Sequence, residues 1–332
     1  MFDLLPYNTF GLDVKAYAGI IVRSVSDLKT VSAPETLILG LGSDVLFIDD
    51  YEGLAVINAI KGLEIVKTGR TYQVTAGGGV VLDEFIQALL SYGITGLENL
   101  SGIPGTVGAA PVQNIGAYGR EIGSFITGVE VYDLDTHRAF TLSHDECAFA
   151  YRTSVFKEQK QRRYFITHVH FAFEEGFKPC LTYPGLDNDP SLTSAGAVRH
   201  RVLALRERKL PDPRFVGNAG SFFKNPVVDA DKVATLKETW PDLPVYPTAD
   251  GKFKLAAGYL IDKAGCRGIT HGHAGTWEHQ ALVIVNRGQA RPHEIVSLAR
   301  YIAARVEELF KVTLIPEVRI FGRHGEVPWE RV

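Results

Sequence analysis

Glycine is the first residue type in this chain whose placement points to chemistry, because a backbone without a Cβ admits positive φ and close approach to a ligand. Gly40-Leu41-Gly42-Ser43-Asp44 and Gly77-Gly78-Gly79 each follow a strand-like run. Gly102-Ile103-Pro104-Gly105-Thr106-Val107-Gly108-Ala109-Ala110 leads straight into Pro111-Val112-Gln113-Asn114-Ile115-Gly116-Ala117-Tyr118-Gly119. None has the GxGxxG spacing of a Rossmann unit or the GxxxxGK[ST] of a P-loop, which disfavours the ordinary nucleotide folds. Clustered backbone N–H groups after a strand still suit a pyrophosphate, and tight hairpin turns explain the two short stretches equally well. The run that ends at Gly119 is too long for a turn and reads as a wall around a ligand.

The polar candidates each admit a plainer reading. Ser221 follows Gly220, where a turn hydroxyl is the simpler account, and Arg152 with Glu317 would make a structural salt bridge between domains. Arg199, Arg201, Arg206 and Arg208, on a helix closed by Lys209, read as a solvated face. Tyr183 opens a stretch with Pro184, Gly185, Asp187, Asn188 and Pro190 that lacks periodicity, so it is either a surface tyrosine or part of a lid. His271, His273 and His279 lie close together, but without an ordered helix or a carboxylate at metalloenzyme spacing, and no metal is expected. Asn99-Leu100-Ser101 matches a glycosylation acceptor only formally.

The elements that must position these residues follow from length and periodicity. At roughly 100 to 200 residues per domain, 332 residues suggest two or three domains. Short strands are expected at 37–39, 45–48, 55–60, 71–75, 128–134, 138–142, 164–173 and 281–286, and a long alternating strand at 312–321. Helices are expected at 83–92, 195–210, 231–240 and 255–264, and one from Pro292 to Lys311 on the stripe Ile295, Leu298, Ala299, Ile302, Val306, Leu309 and Phe310. Pro211 and Pro213 mark the best boundary. The pattern is α+β. Hydrophobic residues at 45% and charged residues at 22% are ordinary globular values, and 35 Lys plus Arg against 38 Asp plus Glu leave a formal charge of −3. No global positive field exists to hold nucleic acid. The three cysteines, Cys147, Cys180 and Cys266, form no CxxC pair, which fits a reducing, cytoplasmic setting. The N-terminus carries no basic leader, and no stretch approaches the apolar length of a membrane span.

Six ordered segments together carry a resemblance: Leu39 to Ser43, Ile103 to Gly119, Ala150 to Lys157, Lys209 to Pro213 with Asn218 to Pro226, Leu255 to Asp262, and Ile315 to Gly322. In this order the chain resembles the UDP-N-acetylenolpyruvoylglucosamine reductase family, in its subclass with a substrate-capping tyrosine loop. The resemblance implies an FAD-binding PCMH/vanillyl-alcohol-oxidase-type domain plus a C-terminal α+β substrate domain. Residues 1–62, joined by the C-terminal strand 312–332, would form an N-terminal FAD-binding subdomain, 63–210 a second, and 211–311 the substrate domain. It further implies NADPH as reductant, a UDP-sugar as small-molecule partner, a cytoplasmic step of peptidoglycan precursor synthesis, and a chain acting as a monomer without nucleic acid or membrane.

By motif position, Ser221 looks like the proton donor, and Arg152 and Glu317 like the pair that polarises the substrate carboxylate. Arg152 supplies a bidentate fork, whereas Glu317 helps if protonated or hydrogen-bonded to the developing acid. Gly40, Leu41, Gly42, Ser43, Asp44, Gly105, Thr106, Gly108, Asn114, Gly116, Ala117 and Tyr118 would hold FAD, and Tyr183, Lys209 and Asn225 the UDP end. Asp44 departs from the family's usual asparagine and brings a carboxylate toward a pyrophosphate. The rivals are another flavin oxidase of the same domain type acting on a polyol or lactone, and a non-catalytic UDP-sugar-binding protein.

Overall fold

The computed structural model describes residues 1–332 except 33–35, 159–162, 188 and 249. The chain divides into two compact units. The first comprises residues 1–2, 16–42 and 52–207, and the second 3–15, 43–51 and 208–332.

The first unit holds a five-stranded antiparallel sheet in the order Arg138–Ser143, Ile126–Asp133, Tyr164–Glu174, Thr71–Gly77 and Leu63–Thr68. Helix α1, Leu82–Ser91, buries Leu82, Phe85, Ile86 and Leu89. These residues share a core with Val74, Ala76, Val129, Val131, Phe171 and Phe173 of the sheet. The same core takes Val107, Ala110 and Ile115 from the long glycine run, so that run is packed along its length rather than draped over the surface. A four-stranded sheet ends in a parallel pair, Thr36–Leu39 on Tyr51–Asn58, and a second core joins Val22, Leu28 and Val56 to Tyr132, Leu134 and Phe165. Helix α2, Ala195–Lys209, buries Val198, Val202 and Leu205 against Tyr118, Leu186 and Leu192.

The arginines of α2 correct the expectation of a solvated face. The Arg199 side chain is 11% exposed and forks onto Asp83 of α1 at 2.6 and 2.8 Å. Burial pushes the Arg206 guanidinium below its ordinary pKa, and Arg201 Nε donates to the Gly185 carbonyl. Only Arg208 of the four is exposed. Polar composition alone does not reveal that these guanidinium groups meet a carboxylate and a main-chain carbonyl.

In the second unit an antiparallel sheet runs Gly217–Ser221, Gln280–Asn286, Ala274–Trp277 and Thr270–His271. Helices α3, Ala230–Thr239, α4, Ala257–Lys263, and α5, Pro292–Phe310, follow in chain order, and α4 and α5 both pack on this sheet. Six residues of the expected α5 stripe are buried, but Leu309 is 44% exposed. Phe310 lies one turn beyond Val306 and takes the core position instead. The long strand expected at 312–321 is shorter: only Arg319–Gly322 pairs continuously, in parallel with Val45–Phe47. Pro316 makes an isolated bridge to Phe223, as expected for a residue with no N–H to extend a ladder.

Candidate functional site

The glycine stretches separate by what their amides do. Gly77, Gly78 and Gly79 donate to the carbonyls of Gly62, Thr167 and Ile60. Their N–H groups are committed within the protein, and the three glycines serve close packing. A Cβ on Gly78 would stand 2.5 Å from the Ile166 carbonyl, and one on Gly108 would stand 2.9 Å from Gly78 Cα. The long run is thereby locked onto the end of strand Thr71–Gly77, with Val107 and Gly108 donating to Val80 and Gly78.

That lock brings Gly40 and Thr106 together. A Cβ on Gly40 would lie 2.6 Å from Thr106 Oγ1. Thr106 is 2% exposed, and its hydroxyl has no hydrogen-bond partner among the described residues. Leu41 and Gly42 continue the turn, with Gly42 at φ +61°, and Gly105, at φ +135°, takes a conformation that disfavours side chains. Asn114 uses its side chain internally: Nδ2 donates to Glu121 and the Ala150 carbonyl, and Oδ1 accepts from Gly123. It shapes the wall around its own positive φ of 47°.

Gly116 and Ala117 pair with Arg120–Glu121, and the Gly116 carbonyl accepts from Arg152 at 2.8 Å. Arg152 itself sits at φ +54°, with its guanidinium 5.4 Å from the Tyr151 ring centre. A non-glycine residue in the left-handed region costs energy and tends to persist where function needs its direction. Tyr118 meets Tyr183 edge to face at 4.9 Å. The segment around Tyr183 has no regular helix or strand and is anchored. Leu186 and Asp187 donate back to the Tyr183 carbonyl, and Leu186 is fully buried. Asn188 lies outside the described residues.

The second unit presents the serine and the glutamate on neighbouring segments. Strand Gly217–Ser221 pairs with Gln280–Asn286 through a register shift between Asn218 and Ser221, and Gly220 turns there at φ +70°. Asn218 builds this bulge. Its Oδ1 accepts from Gly220, and its Nδ2 donates to the carbonyls of Pro211 and Val216. Immediately after Ser221, Phe222 receives a hydrogen bond from the Glu317 backbone N–H at 2.8 Å. Two residues beyond Glu317, Arg319 N donates to the Asp44 carbonyl at 3.1 Å. Ser43 and Asp44 are thus tied through main chain to the segment that carries Glu317. Asn225 Oδ1 accepts from Ala257 at the start of α4, and Lys209 is the last residue of α2.

The residues fit a flavin where the structure tests them. The Gly40 backbone packs so closely on Thr106 that a Cβ would stand 2.6 Å from its hydroxyl, and this cradle leaves that buried hydroxyl, unpartnered among the described residues, as a group for a ligand. Gln113, in the same glycine-rich run, also buries an oxygen, Oε1, with no partner among the described residues. Among the described residues no group of three or more His, Cys, Asp or Glu side chains is placed to hold a metal, and no helix is long and apolar enough to cross a membrane. Glu294 receives the His273 backbone N–H, and His279 packs on Trp277.

Comparison with known proteins places the chain among relatives. Residues 25–139 match the FAD binding domain family, and residues 212–321 match the C-terminal domain of UDP-N-acetylenolpyruvoylglucosamine reductase. The UDP-N-acetylenolpyruvoylglucosamine reductase of Neisseria gonorrhoeae is 45% identical over 328 residues, covering 95% of each chain. That of Salmonella typhimurium is 42% identical over 332 residues, covering 98% of this chain and 97% of its own. A solved structure of the reductase from Thermus caldophilus, 24% identical, superposes with a TM-score of 0.68 over 96% of each chain and shares the fold.

Proposed function

The chain belongs to the UDP-N-acetylenolpyruvoylglucosamine reductase family, and from that premise we propose that it reduces the enolpyruvyl ether of UDP-N-acetylglucosamine to UDP-N-acetylmuramate. NADPH is the reductant, and the reaction is a cytoplasmic step of peptidoglycan precursor synthesis. Three unpaired cysteines support a reducing compartment.

Bound FAD supplies hydride to the β carbon of the enolpyruvyl group. Gly40, the Thr106 hydroxyl and the Gly105–Gly108 turn would hold it. Negative charge then gathers on the substrate carboxylate as an enediolate, so the protein must stabilise that charge and deliver a proton to the α carbon. Arg152 is suited to the first task. Its bond to the Gly116 carbonyl orients the guanidinium, whose planar fork matches a carboxylate. Glu317, when it carries a proton, donates a hydrogen bond to the enediolate. Ser221 Oγ gives the proton. A serine is protonated at neutral pH, and the structural demand is therefore direction, which the Asn218 bulge supplies. Tyr183 and Lys209 bind the diphosphate, and Asn225 the nucleotide.

The observation that carries this reading is the ladder from Phe222 to Glu317, which fixes the serine and the glutamate on adjacent strands of backbone. Ser221→Ala tests it by rapid mixing. Flavin reduction by NADPH is spared, whereas reoxidation by the enolpyruvyl substrate slows about 10²- to 10⁴-fold. Unchanged reoxidation in a flavin-loaded variant removes Ser221 from the mechanism.

A further inference from the structure

Asn99 lies in a short 3₁₀ turn, Glu98–Leu100, just before the long glycine run, and is fully buried. Its Nδ2 donates to the carbonyl of Tyr118 at 2.8 Å and to the carbonyl of Cys180 at 2.9 Å. Both partners are acceptors, which settles the orientation of the amide. Its Oδ1 has no partner among the described residues. Burying an unsatisfied acceptor is unfavourable, so the side chain's use to the protein lies in its two N–H groups. A leucine of similar size would leave the Tyr118 and Cys180 carbonyls without these donors, and an aspartate would set a carboxylate against both.

The two carbonyls belong to the two segments that bring the tyrosines together. Tyr118 and Tyr183 meet edge to face, and Cys180 lies three residues before Tyr183 on the approach to its turn. Further bonds run beside the amide: Cys180 Sγ donates to the Gly119 carbonyl, and Arg120 donates to the Lys178 carbonyl. A Cβ on Gly119 would stand 3.0 Å from both Cys180 Sγ and Thr182 Oγ1. On the far side of the turn, Leu186 is buried beside Tyr118, Val202 and Leu205. Among these hydrogen bonds, the pair from Asn99 reaches both segments from a third piece of backbone.

We propose that Asn99 is a positioning residue for the nucleotide end of the substrate: its amide clamps Tyr118 to Cys180 and so presets the turn that presents Tyr183. The functional half of this inference rests on the reading of Tyr183 as a diphosphate ligand. The clamp itself does not.

Asn99→Asp keeps the side-chain shape and removes both donors. In the flavin-loaded protein without substrate, hydrogen exchange at the amides of 180–187 then accelerates, by about 10-fold or more for two lost hydrogen bonds. Amides of the central strand 129–132 exchange as in wild type. UDP, titrated as the probe, binds more weakly by a similar factor, KM for the enolpyruvyl substrate rises with it, and flavin reduction by NADPH keeps its rate. If Asn99→Asp does not fold, Asn99→Ala removes the donors without adding charge and carries the same expectations. Wild-type exchange at 180–187 overturns the clamp, whatever UDP does. Accelerated exchange with unchanged UDP affinity leaves the clamp standing and overturns its role in binding, whereas unchanged UDP affinity in Tyr183→Phe overturns the reading of Tyr183 itself. Acceleration that spreads equally to 129–132 marks a general loss of stability and refutes the specific role.

Discussion

Replacing Thr106 by valine separates cofactor binding from folding, because the two respond in opposite directions. The hydroxyl is 2% exposed and has no partner among the described residues, so the protein without flavin carries the cost of a buried unsatisfied group, about 1–3 kcal/mol. Valine has nearly the same shape and removes that cost. The flavin-free variant therefore unfolds at higher temperature, by about 2–4 °C per kcal/mol for a unit of this size. The flavin-loaded protein loses a hydrogen bond instead. If the hydroxyl meets a neutral flavin group, the loss is about 0.5–1.5 kcal/mol, and if it meets a phosphate, about 1.5–3 kcal/mol. FAD retention then weakens roughly 2- to 150-fold. The assay pairs a thermal melt of the flavin-stripped protein with titration of FAD followed by flavin fluorescence. Wild-type affinity in Thr106→Val refutes the cradle at Gly40 and Thr106, and a lowered melting temperature of the stripped variant shows that the hydroxyl has a partner within the fold.

Three further outcomes follow from the same geometry. Arg152→Lys keeps the charge and loses the planar fork, so kcat/KM for the enolpyruvyl substrate falls about 10- to 100-fold in steady-state assays; wild-type turnover excludes the bidentate role. The Arg199 fork, with the Gly102 backbone N–H, holds the Asp83 carboxyl below its ordinary pKa. A depressed carboxylate stabilises the fold above its unfolded pKa and loses that contribution as pH falls through the folded value. Asp83→Asn is accordingly less stable by about 1–3 kcal/mol at pH 7 in urea unfolding, and the gap from wild type closes on acidification below about pH 4; a gap that stays constant with pH rejects the ion pair. Burial raises the Cys147 thiol to about 12 and the Cys266 thiol upward as well. A thiolate reagent at pH 8 therefore labels only Cys180 rapidly in the native protein and all three cysteines in denaturant, and rapid native labelling of Cys147 contradicts its burial.

Periodicity located α1, α2 and α5 well because each buries a stripe, whereas α3 buries only Leu236: α2 ends at Lys209 before Pro211, and α5 starts at Pro292. It failed where pairing depends on a distant partner. Strand Leu63–Thr68 has no buried residue and so no alternation to read, and Lys15–Val22 runs Ala-Tyr-Ala-Gly-Ile-Ile, whose small and apolar residues do not alternate. Among the site residues, the glycine runs were legible as ligand-shaped backbone, but the division of labour was not. That Gly77–Gly79 spend their amides internally while the Thr106 hydroxyl finds no partner among the described residues is a fact of three-dimensional pairing. Asn218 and Asn99 escaped notice for a related reason. One sits in a quoted motif beside the more reactive Ser221, and the other in a formal glycosylation acceptor whose asparagine is fully buried. Asparagine in or beside a glycine-rich turn, where carbonyls need donors, was the available signal.

The central claim is that this chain passes reducing equivalents from NADPH to the enolpyruvyl ether of UDP-N-acetylglucosamine. Purified protein reconstituted with FAD, mixed anaerobically with one equivalent of NADPH and then with the enolpyruvyl substrate, tests it in one experiment. The flavin absorbance bleaches on the first addition, returns on the second, and one equivalent of UDP-N-acetylmuramate appears by mass spectrometry. A flavin that bleaches but stays reduced in the presence of that substrate, with no saturated product, contradicts the account.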